Sequence, residues 1–292
     1  MTVEKSERVY LLTVVVPIAR MAGKLENLKK WVDSAIGLEV KILLIHDHQD
    51  SETSQELREY VEKLGTEQVQ LLEKYFGSPG MARNAGLLNI KSEWCCFWDS
   101  DDTPDVGATL LSIYQAKSDT EVIISKYAVH DFDETKIVSH NFCLDQVAIN
   151  PGIWRMVFKS RRIKDKEFTD LLMGEDQIFL LEIGLSTLKV EFSDAVTYTY
   201  HQGLPSQLTK QFGMKSLRAI EVIRTNTILS QSTHDRFLTI VFTRMFITSL
   251  KRLRFSYPIN ELTRNLIFLI RLPLPSVVFT FNKVISQKIG NI

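Results

Sequence analysis

The stretch CCFWDSDDTPD, residues 95–105, passes from an apolar run directly into four acidic residues. Carboxylates this close repel one another unless a cation joins them. Asp99, Asp101 and Asp102 are spaced D-x-D-D behind an apolar segment that is typical of a buried strand. Such a group offers the hard oxygen ligands that Mg²⁺ and Mn²⁺ prefer, usually together with waters and substrate phosphates. The stretch therefore predicts a cation site at the end of a strand.

A purely structural alternative exists for the same stretch. Thr103 can cap a helix with Pro104 at its first position, and Asp105 then lies at the positive end of that helix. This alternative explains Asp105, and at most Asp102 with it. It leaves Asp99 and Asp101 without a role.

Strand-like and helix-like runs alternate around this stretch. Apolar, β-branched runs at residues 10–18, 40–47, 69–75 and 94–99 alternate with helical periodicity at residues 25–36, 54–64 and 81–90. This order predicts an α/β fold with a parallel sheet that binds ligands at the carboxyl ends of its strands. After about residue 106 the order is less regular, which indicates a mixed second half of the same domain. After about residue 206 the chain becomes helical.

Charge is distributed unevenly along the 292 residues. Residues 1–209 hold 22 Lys and Arg against 32 Asp and Glu (22 − 32 = −10), and residues 210–292 hold 13 against 3 (13 − 3 = +10). The formal net charge of zero therefore hides an acidic body and a basic tail. A hydrophobic fraction of 45% with 24% charged residues excludes a disordered chain.

The cysteines and the apolar segments favour a cytoplasmic protein. Three cysteines cannot all pair, and the adjacent Cys95 and Cys96 lie in an apolar run, so we expect buried thiols in a reducing compartment. The apolar run at residues 9–19 follows mixed charges and lacks a cleavage pattern, which favours a buried strand over a signal peptide. No run approaches the ~20 apolar residues of a membrane span.

Five motifs in order resemble those of the family 2 glycosyltransferases. They are VVVPIAR (14–20), LLIHDHQDS (43–51), GSPGMARNAGL (77–87), FWDSDD (97–102) and MGEDQIFL (173–180). The resemblance covers about residues 9–205. It implies a GT-A fold, which is a Rossmann-like nucleotide-sugar-binding domain with a mixed sheet. It also implies a nucleotide-sugar donor, most commonly a UDP-sugar, a divalent Mn²⁺ or Mg²⁺ ion, and inversion at the anomeric carbon.

The resemblance also implies roles for single residues. Those expected to bind the nucleotide sugar are Pro17, Ala19, Asp47, Arg83, Asp99, Ser100 and Asp101. Those expected to hold the metal are Asp101, Asp102 and His201. Asp176 matches the usual catalytic base of the family, with Glu175 beside it. The simpler alternative for this last pair is that both acids only complement a helix N-terminus after Gly174.

The chain departs from the family pattern at two places. The residue two positions after Pro17 is usually aromatic and can contact the nucleobase, but here it is Ala19. The second-strand segment reads H-D-H-Q-D in place of D-D-G-S, so His46 and His48 flank Asp47. Two alternatives remain open for these histidines: a metal role, or two partly exposed side chains at a strand end, which is the more ordinary arrangement.

The basic tail allows more than one function. In residues 236–255, large apolar residues recur at helical spacing among cations that include Arg244, Lys251, Arg252 and Arg254, which is typical of an amphipathic helix on an anionic membrane surface. The alternatives are internal packing, with the apolar side of the helix against the catalytic domain, and self-association into a homo-oligomer. A membrane-facing tail would suit a lipid-linked saccharide acceptor at the cytoplasmic face. Nucleic acid is disfavoured as a partner because apolar residues interrupt the cations and the body is acidic.

These patterns predict two regions. A glycosyltransferase domain covers residues 1–205, with a nucleotide-binding half at about 1–103 and an acceptor half at about 104–205, in which Trp154 could stack on a sugar or fill the core. A basic helical extension covers residues 206–292. A nucleotidyltransferase is disfavoured because no glycine-rich loop follows the first strand. A non-catalytic nucleotide- or sugar-binding module with the same fold remains the alternative function.

Overall fold

A computed structural model describes residues 9–48, 50–131, 134–138, 143–202, 215–230 and 233–286. The chain forms two compact units. The first comprises residues 1–139, 153–167 and 188–203, and the second comprises residues 140–152, 168–187 and 204–292. The predicted boundary at residues 205–206 lies outside the described residues.

The first unit is built on a sheet of nine strands with helices around it. Numbered in chain order, its first half contains β1 (Leu12–Ile18), α1 (Glu26–Ala35), β2 (Val40–Asp47), α2 (Ser51–Leu64), β3 (Val69–Lys74), α3 (Pro79–Leu87) and β4 (Trp94–Phe97). These four strands are parallel and lie in the order β3-β2-β1-β4. All seven elements overlap the predicted runs.

The second half of the same sheet is mixed. It contains β5 (Thr103–Pro104), α4 (Val106–Gln115), β6 (Val122–Asp131), β7 (Glu134–Val138), β8 (Met156–Lys159), α6 (Ser160–Ile163) and β9 (Val190–Gln202). Strand β8 pairs antiparallel with both β4 and β6, and β9 runs parallel to β6. The sheet continues as β4-β8-β6-β9-β5, with β7 on β6. The predicted change from a parallel to a mixed sheet is confirmed.

The parallel strands are buried because helices cover them. In β2 seven of eight residues are buried, which matches its continuous apolar sequence. Helix α3 approaches β1 closely at Gly86, where an added Cβ would lie 2.3 Å from Val15 Cγ1. Only glycine fits this contact, which accounts for the glycine in the motif ARNAGL. Close packing of α3 on the sheet positions the loop before α3 and the side chain of Arg83.

The second unit is helical. It contains α5 (Leu144–Ile149), α7 (Glu175–Glu182), α8 (Lys215–Ser230), α9 (Arg236–Leu253), α10 (Ile259–Ile270) and α11 (Leu274–Ser286). Helix α9 packs against α11, α5 and α8. The segments at residues 140–152 and 168–187 therefore cluster with the C-terminal helices and not with the sheet.

Helix α9 is the segment with the apolar and basic pattern that suggested a membrane surface. Its apolar residues are inside the second unit: Phe237, Val241, Phe242, Met245 and Phe246 are all buried. Phe242 meets Phe268 of α10 edge-on, with 4.6 Å between the ring centroids. The alternative of internal packing is therefore confirmed for the apolar side of α9.

Candidate functional site

Asp102 is the centre of a hydrogen-bonded cluster directly after β4. Its side chain is 0% exposed. One carboxylate oxygen, Oδ2, accepts a 2.8 Å hydrogen bond from the Tyr198 hydroxyl, and the other, Oδ1, accepts a 2.7 Å bond from the His201 backbone N–H. The Tyr198 hydroxyl in turn accepts a 3.1 Å bond from the Asp99 backbone N–H. Strand β9 therefore holds the acid-rich segment at the carboxyl end of β4.

Ionisation of these carboxyl groups carries a high electrostatic cost. Burial, followed by the charges of Asp99 and Asp101, raises the pKa of Asp102 to about 9. Burial and the charge of Asp99 raise the pKa of Asp101 to about 6. Both shifts arise because ionised carboxylates are poorly solvated and repel one another. A divalent cation beside them would oppose both causes and favour the ionised forms.

Asp99 is the member of the cluster that has a cationic partner in the protein. Arg83 of α3 is buried, and its Nη2 donates to Asp99 Oδ1 over 2.9 Å. The structure thus joins two of the residues predicted from separate motifs. Ser100, between Asp99 and Asp101, is also buried.

The structure corrects the expected capping of the helix that follows. Thr103 and Pro104 do not begin the helix; they form the short strand β5, which pairs with β9. Asp105 is the N-cap of α4, and its side chain accepts a bond from the Ala108 backbone N–H. Asp105 is therefore explained by capping, and Asp102 is not.

His201 is brought to the acid cluster by the pairing of β9. Its Nε2 lies 2.9 Å from the Thr103 hydroxyl, and its ring meets that of His130 with 5.2 Å between centroids. Burial and the neighbouring His130 lower the pKa of His201, which favours the neutral imidazole that can ligate a metal. His201 thus contacts Asp102 through its backbone N–H, and its role as a metal ligand stays a prediction.

Asp47 ends β2 and is buried. Its carboxylate accepts bonds from the backbone N–H groups of Phe76, over 2.8 Å, and Gly77, over 3.2 Å. Gly77 has a φ of +82°, which favours glycine, and it precedes the Ser78 cap of α3. Asp47 therefore shapes the loop that leads to Arg83.

The residues at the end of β1 show the departure from the family pattern. Pro17 is half-buried near the end of β1, and Ala19 is exposed just beyond it. Arg20 follows with a φ of +55°, which is uncommon for a residue other than glycine. No aromatic side chain can come from position 19 itself.

The two histidines around Asp47 differ from the expectation. His46 is fully buried, and only His48 is exposed, so the prediction of two partly exposed side chains is wrong for His46. The Ser54 hydroxyl lies 3.2 Å from His46 Nδ1 and 2.8 Å from His48 Nδ1. Helix α2 covers His46 in this way, which a strand-end pattern does not reveal.

Two groups in the first unit could hold a cation. Within the described part of the chain, His46, His48 and Glu73 are the one set of three whose ligand atoms lie within 4.8 Å of one another. No three of the described acids after β4 have ligand atoms within that distance of one another. Mg²⁺ and Mn²⁺ need only one or two protein carboxylates beside a diphosphate, so Asp99, Asp101 and Asp102 still fit such an ion in donor chemistry.

The predicted catalytic pair lies in the second unit. Glu175 and Asp176 form the first turn of α7, with Gly174 as the N-cap at a φ of +87°. A Cβ at Gly174 would lie 2.7 Å from the Cβ of Ala219, so α7 begins in close contact with α8. Glu175 is buried, and Asp176 Oδ1 accepts a 2.8 Å bond from the Gln177 backbone N–H.

Arg244 of α9 lies beside this pair. Its Nη2 donates to Gln177 Oε1 over 2.5 Å. Burial lowers the pKa of Arg244 to about 10, and the charge of Asp176 opposes that shift. The arginine thus provides a positive charge, little solvated, next to an acid at a helix N-terminus.

Tyr198 and Arg244 are site residues that sequence reasoning did not identify. The motif YTYH on β9 alternates polar and aromatic residues, and that alternation was the available signal for Tyr198. Trp154 stacks on Tyr198 with 4.5 Å between centroids and 19° between ring planes, and it packs against the buried core. Of its two predicted roles, the structure shows core filling.

Comparisons with known proteins agree with this geometry. A family model described as "Glycosyl transferase family 2" matches residues 13–180, which is more than half of the 292 residues. Comparison with curated proteins finds no match. Among the helices of the described residues, none is long and apolar enough to cross a membrane.

Solved structures share the fold at low sequence identity. S. aureus TarS (residues 1–349), in complex with UDP-GlcNAc, has a TM-score of 0.68 at 17% identity, covering 91% of this chain and 82% of TarS. The same protein in complex with UDP has a TM-score of 0.67 at 18% identity, with the same coverage. The mannosyltransferase PcManGT from Pyrobaculum calidifontis, in complex with GDP-Man and Mn²⁺, has a TM-score of 0.55 at 12% identity, covering 97% and 87%.

These matches confirm the predicted GT-A fold, a mixed sheet with helices around it and further helices at the C-terminus. The family match includes the acid cluster after β4 and the acid pair at the start of α7. This protein therefore belongs to glycosyltransferase family 2.

Proposed function

We propose that the protein is an inverting, metal-dependent glycosyltransferase that moves a sugar from a nucleotide-sugar donor, most simply a UDP-sugar, to a saccharide acceptor. The catalytic domain comprises about residues 1–205, followed by a basic helical region at 206–292. The chain acts in the cytoplasm, at the inner face of a membrane, where a lipid-linked saccharide is the acceptor.

The observation that carries this proposal is the organisation of the acids after β4. Asp102 is locked by Tyr198 and His201, while Asp99 is held by Arg83. Burial, followed by the charges of the neighbouring carboxylates, raises the pKa of Asp101 and of Asp102. A protein keeps such an unfavourable arrangement where a cationic ligand compensates for it.

The chain's own residues then have separate tasks. Asp101 and Asp102, with His201 beside them, would hold Mn²⁺ or Mg²⁺, and this ion when bound would stabilise the negative charge of the departing nucleoside diphosphate. Tyr198 fixes the orientation of Asp102. Arg83 holds Asp99 for contacts with the nucleotide sugar. Asp47 shapes the loop at Gly77, on the side where the nucleobase would bind.

Asp176 is the proposed general base. Its position at a helix N-terminus and the neighbouring Arg244 both favour the negative charge of its carboxylate. It would accept the proton of the acceptor hydroxyl as that hydroxyl attacks the anomeric carbon. A single displacement of this kind inverts the anomeric configuration. Glu175 lies beside it in the same turn.

Calorimetric titration of UDP, GDP and dTDP into the purified protein, with Mn²⁺ and with chelator, tests the donor site. We expect one nucleotide to bind in a metal-dependent manner, and we expect Asp101→Asn to weaken this binding by about tenfold or more. Asp105→Asn is the matched control, because it removes a nearby charge while asparagine caps α4 as well as aspartate does.

The two variants make the result specific. Equal loss of affinity in both would show that only the summed charge matters and would contradict the assignment of Asp101. No binding of any nucleotide to the wild type would favour the non-catalytic module. Normal binding without detectable turnover would favour that module as well.

The base is tested by release of UDP or GDP from UDP-glucose, UDP-GlcNAc and GDP-mannose in the presence of Mn²⁺. We expect Asp176→Asn to lower turnover by about 10² to 10⁴-fold and to leave donor affinity nearly unchanged. Glu182→Gln, at the other end of α7, is the control and should retain activity. Full turnover in Asp176→Asn would place the base elsewhere.

A further inference from the structure

Helix α10 turns its apolar side outward. Ile259, Leu266, Ile267 and Ile270 are all exposed, Ile270 by 84%. Their spacing of i, i+7, i+8 and i+11 places them on one face of the helix. Asn265 and Phe268 lie on other sides of α10, where they are buried. A stripe of this kind normally faces a protein core, so on α10 it is without a partner in the described structure.

Helix α11 shows the same inversion. Leu274, Val278 and Ile285 are exposed, Leu274 by 70%, and their spacing of i, i+4 and i+11 again defines one face. The buried residues of α11 include Ser276 and Thr280, which are small and polar. The helix therefore buries two small polar residues, together with Val277, while Leu274, Val278 and Ile285 meet solvent.

A third apolar group precedes α10. Phe255 lies in the 3₁₀ turn Arg254–Ser256 and is fully exposed. Arg254 beside it adopts a φ of +47°, which ends α9 abruptly and sets off the turn. Phe255 thus adds an exposed aromatic side chain between the basic end of α9 and the start of α10.

Cations flank these apolar residues along the sequence. Between residues 251 and 286 the sequence contains six Lys and Arg and one acid. The cations are Lys251, Arg252, Arg254, Arg264, Arg271 and Lys283. The acid, Glu261, already contacts Arg224 over 3.1 Å and Arg264 over 2.9 Å. This part of the chain therefore combines exposed apolar side chains with a strongly positive net charge.

We propose that this surface, defined by the apolar residues of α10, α11 and Phe255 and called the α10–α11 surface, binds an anionic phospholipid membrane. Large apolar side chains enter the headgroup region, and the cations pair with lipid phosphates. Membrane binding itself does not depend on the proposed function. Only its biological purpose does, because the enzyme would meet a lipid-linked acceptor at such a surface. It relocates the predicted membrane contact from the buried apolar side of α9.

Charge argues against a second copy of the chain as the occupant. A symmetric dimer interface brings the same patch of both copies together. On the α10–α11 surface this would place the arginines of one copy near those of the other, with one acid available per chain. An anionic membrane supplies the opposite charge without this repulsion.

The test is flotation of the full-length protein with vesicles of phosphatidylcholine alone, or with 30% phosphatidylglycerol, at low and high salt. We expect binding to the anionic vesicles only, weakened by salt. The double variant Ile270→Ser, Leu274→Ser should reduce partitioning by about 100-fold. Leu88→Ser, at an equally exposed apolar residue of the first unit, is its control.

A second pair separates charge from apolar contact. Arg254→Gln with Arg271→Gln should weaken binding to anionic vesicles by about 30-fold, while Lys164→Gln with Lys166→Gln, exposed in the first unit, should not. Wild type that ignores both vesicle types would overturn the proposal. So would a concentration-dependent dimer, measured by light scattering, that the Ile270→Ser, Leu274→Ser variant abolishes.

Nucleotide affinity is measured in the same samples. All the substituted residues are exposed, so the variants should fold and bind donor as the wild type does. Lost flotation with retained nucleotide binding therefore reports on the α10–α11 surface alone. Retained flotation without nucleotide binding would contradict the proposed enzyme and leave the membrane surface intact.

Discussion

Helices α9 and α10 share an amphipathic pattern but lie in opposite environments. Both combine large apolar residues at helical spacing with arginines. Helix α9 buries eleven of its eighteen residues, whereas α10 buries two of twelve. Periodicity establishes that a helix has an apolar face, but it does not say whether another element covers that face. Three comparisons between variants test the difference between covered and exposed positions.

The largest effect is expected at the contact between the two helices. Phe242→Ala should lower the free energy of unfolding by about 3 to 5 kcal/mol, because it removes a buried ring from between Phe246 and Phe268. Ile270→Ala, on the exposed stripe of α10, should change it by about 0.5 kcal/mol or less. Urea denaturation measures both, and similar losses would contradict the assignment of one covered and one open face.

A smaller effect is expected where α7 meets the helices. Gly174→Ala should cost about 2 to 4 kcal/mol, since the new Cβ meets Ala219 at 2.7 Å and Met245 at 3.2 Å while φ is +87°. Gly107→Ala in α4, where the nearest atom is 3.5 Å away, should stabilise by about 0.5 to 1 kcal/mol. Thermal unfolding of both variants gives the comparison, and a neutral Gly174→Ala would show that α8 and α9 are loosely packed there.

The smallest change in stability is expected for two arginines, one on the covered helix α9 and one on the exposed helix α10. Arg244→Met removes a poorly solvated cation but also the donor to Gln177 and the positive charge beside Asp176, so the free energy of unfolding should change by about 1 kcal/mol or less. Turnover should fall by about tenfold, because Arg244 positions the segment that carries Asp176. Arg264→Met, on exposed α10, should affect neither.

Arg244→Lys sharpens this last test. It keeps the charge and removes the planar fork that reaches Gln177, so it should restore part of the turnover if charge beside Asp176 is what matters. A loss of stability in Arg244→Met with unchanged turnover would assign Arg244 a purely structural role.

Much of the first unit could be predicted from its sequence. Strands such as β2 are buried on both faces, so their continuous apolar runs are visible without knowledge of neighbours. The motif glycine at Gly86 and the acids after β4 were also visible. The cap of α4 was assigned to the wrong residue, because Thr103 and Asp105 are both good caps and only the pairing of β5 with β9 decides between them.

The partners within the candidate site could not be predicted in the same way. Asp102 and His201 are 99 residues apart, and the bond between them depends on the register of β9. The same holds for Tyr198, whose hydroxyl bonds to the Asp102 carboxylate and to the Asp99 backbone N–H. It also holds for His46, which α2 covers. Family resemblance indicated which residues belong to a site, but it did not indicate which side chain holds which.

Local sequence is enough to define the order of strands and helices, the cluster of carboxylates at a strand end and the basic character of the tail. These follow from periodicity, propensity and local charge, which neighbours along the chain are sufficient to define. The tertiary structure alone decided that α9 is covered while α10 and α11 are open, and that Arg244 lies beside Asp176. Those outcomes depend on contacts between residues far apart in the chain, and no local pattern records which distant surface comes to cover a given face.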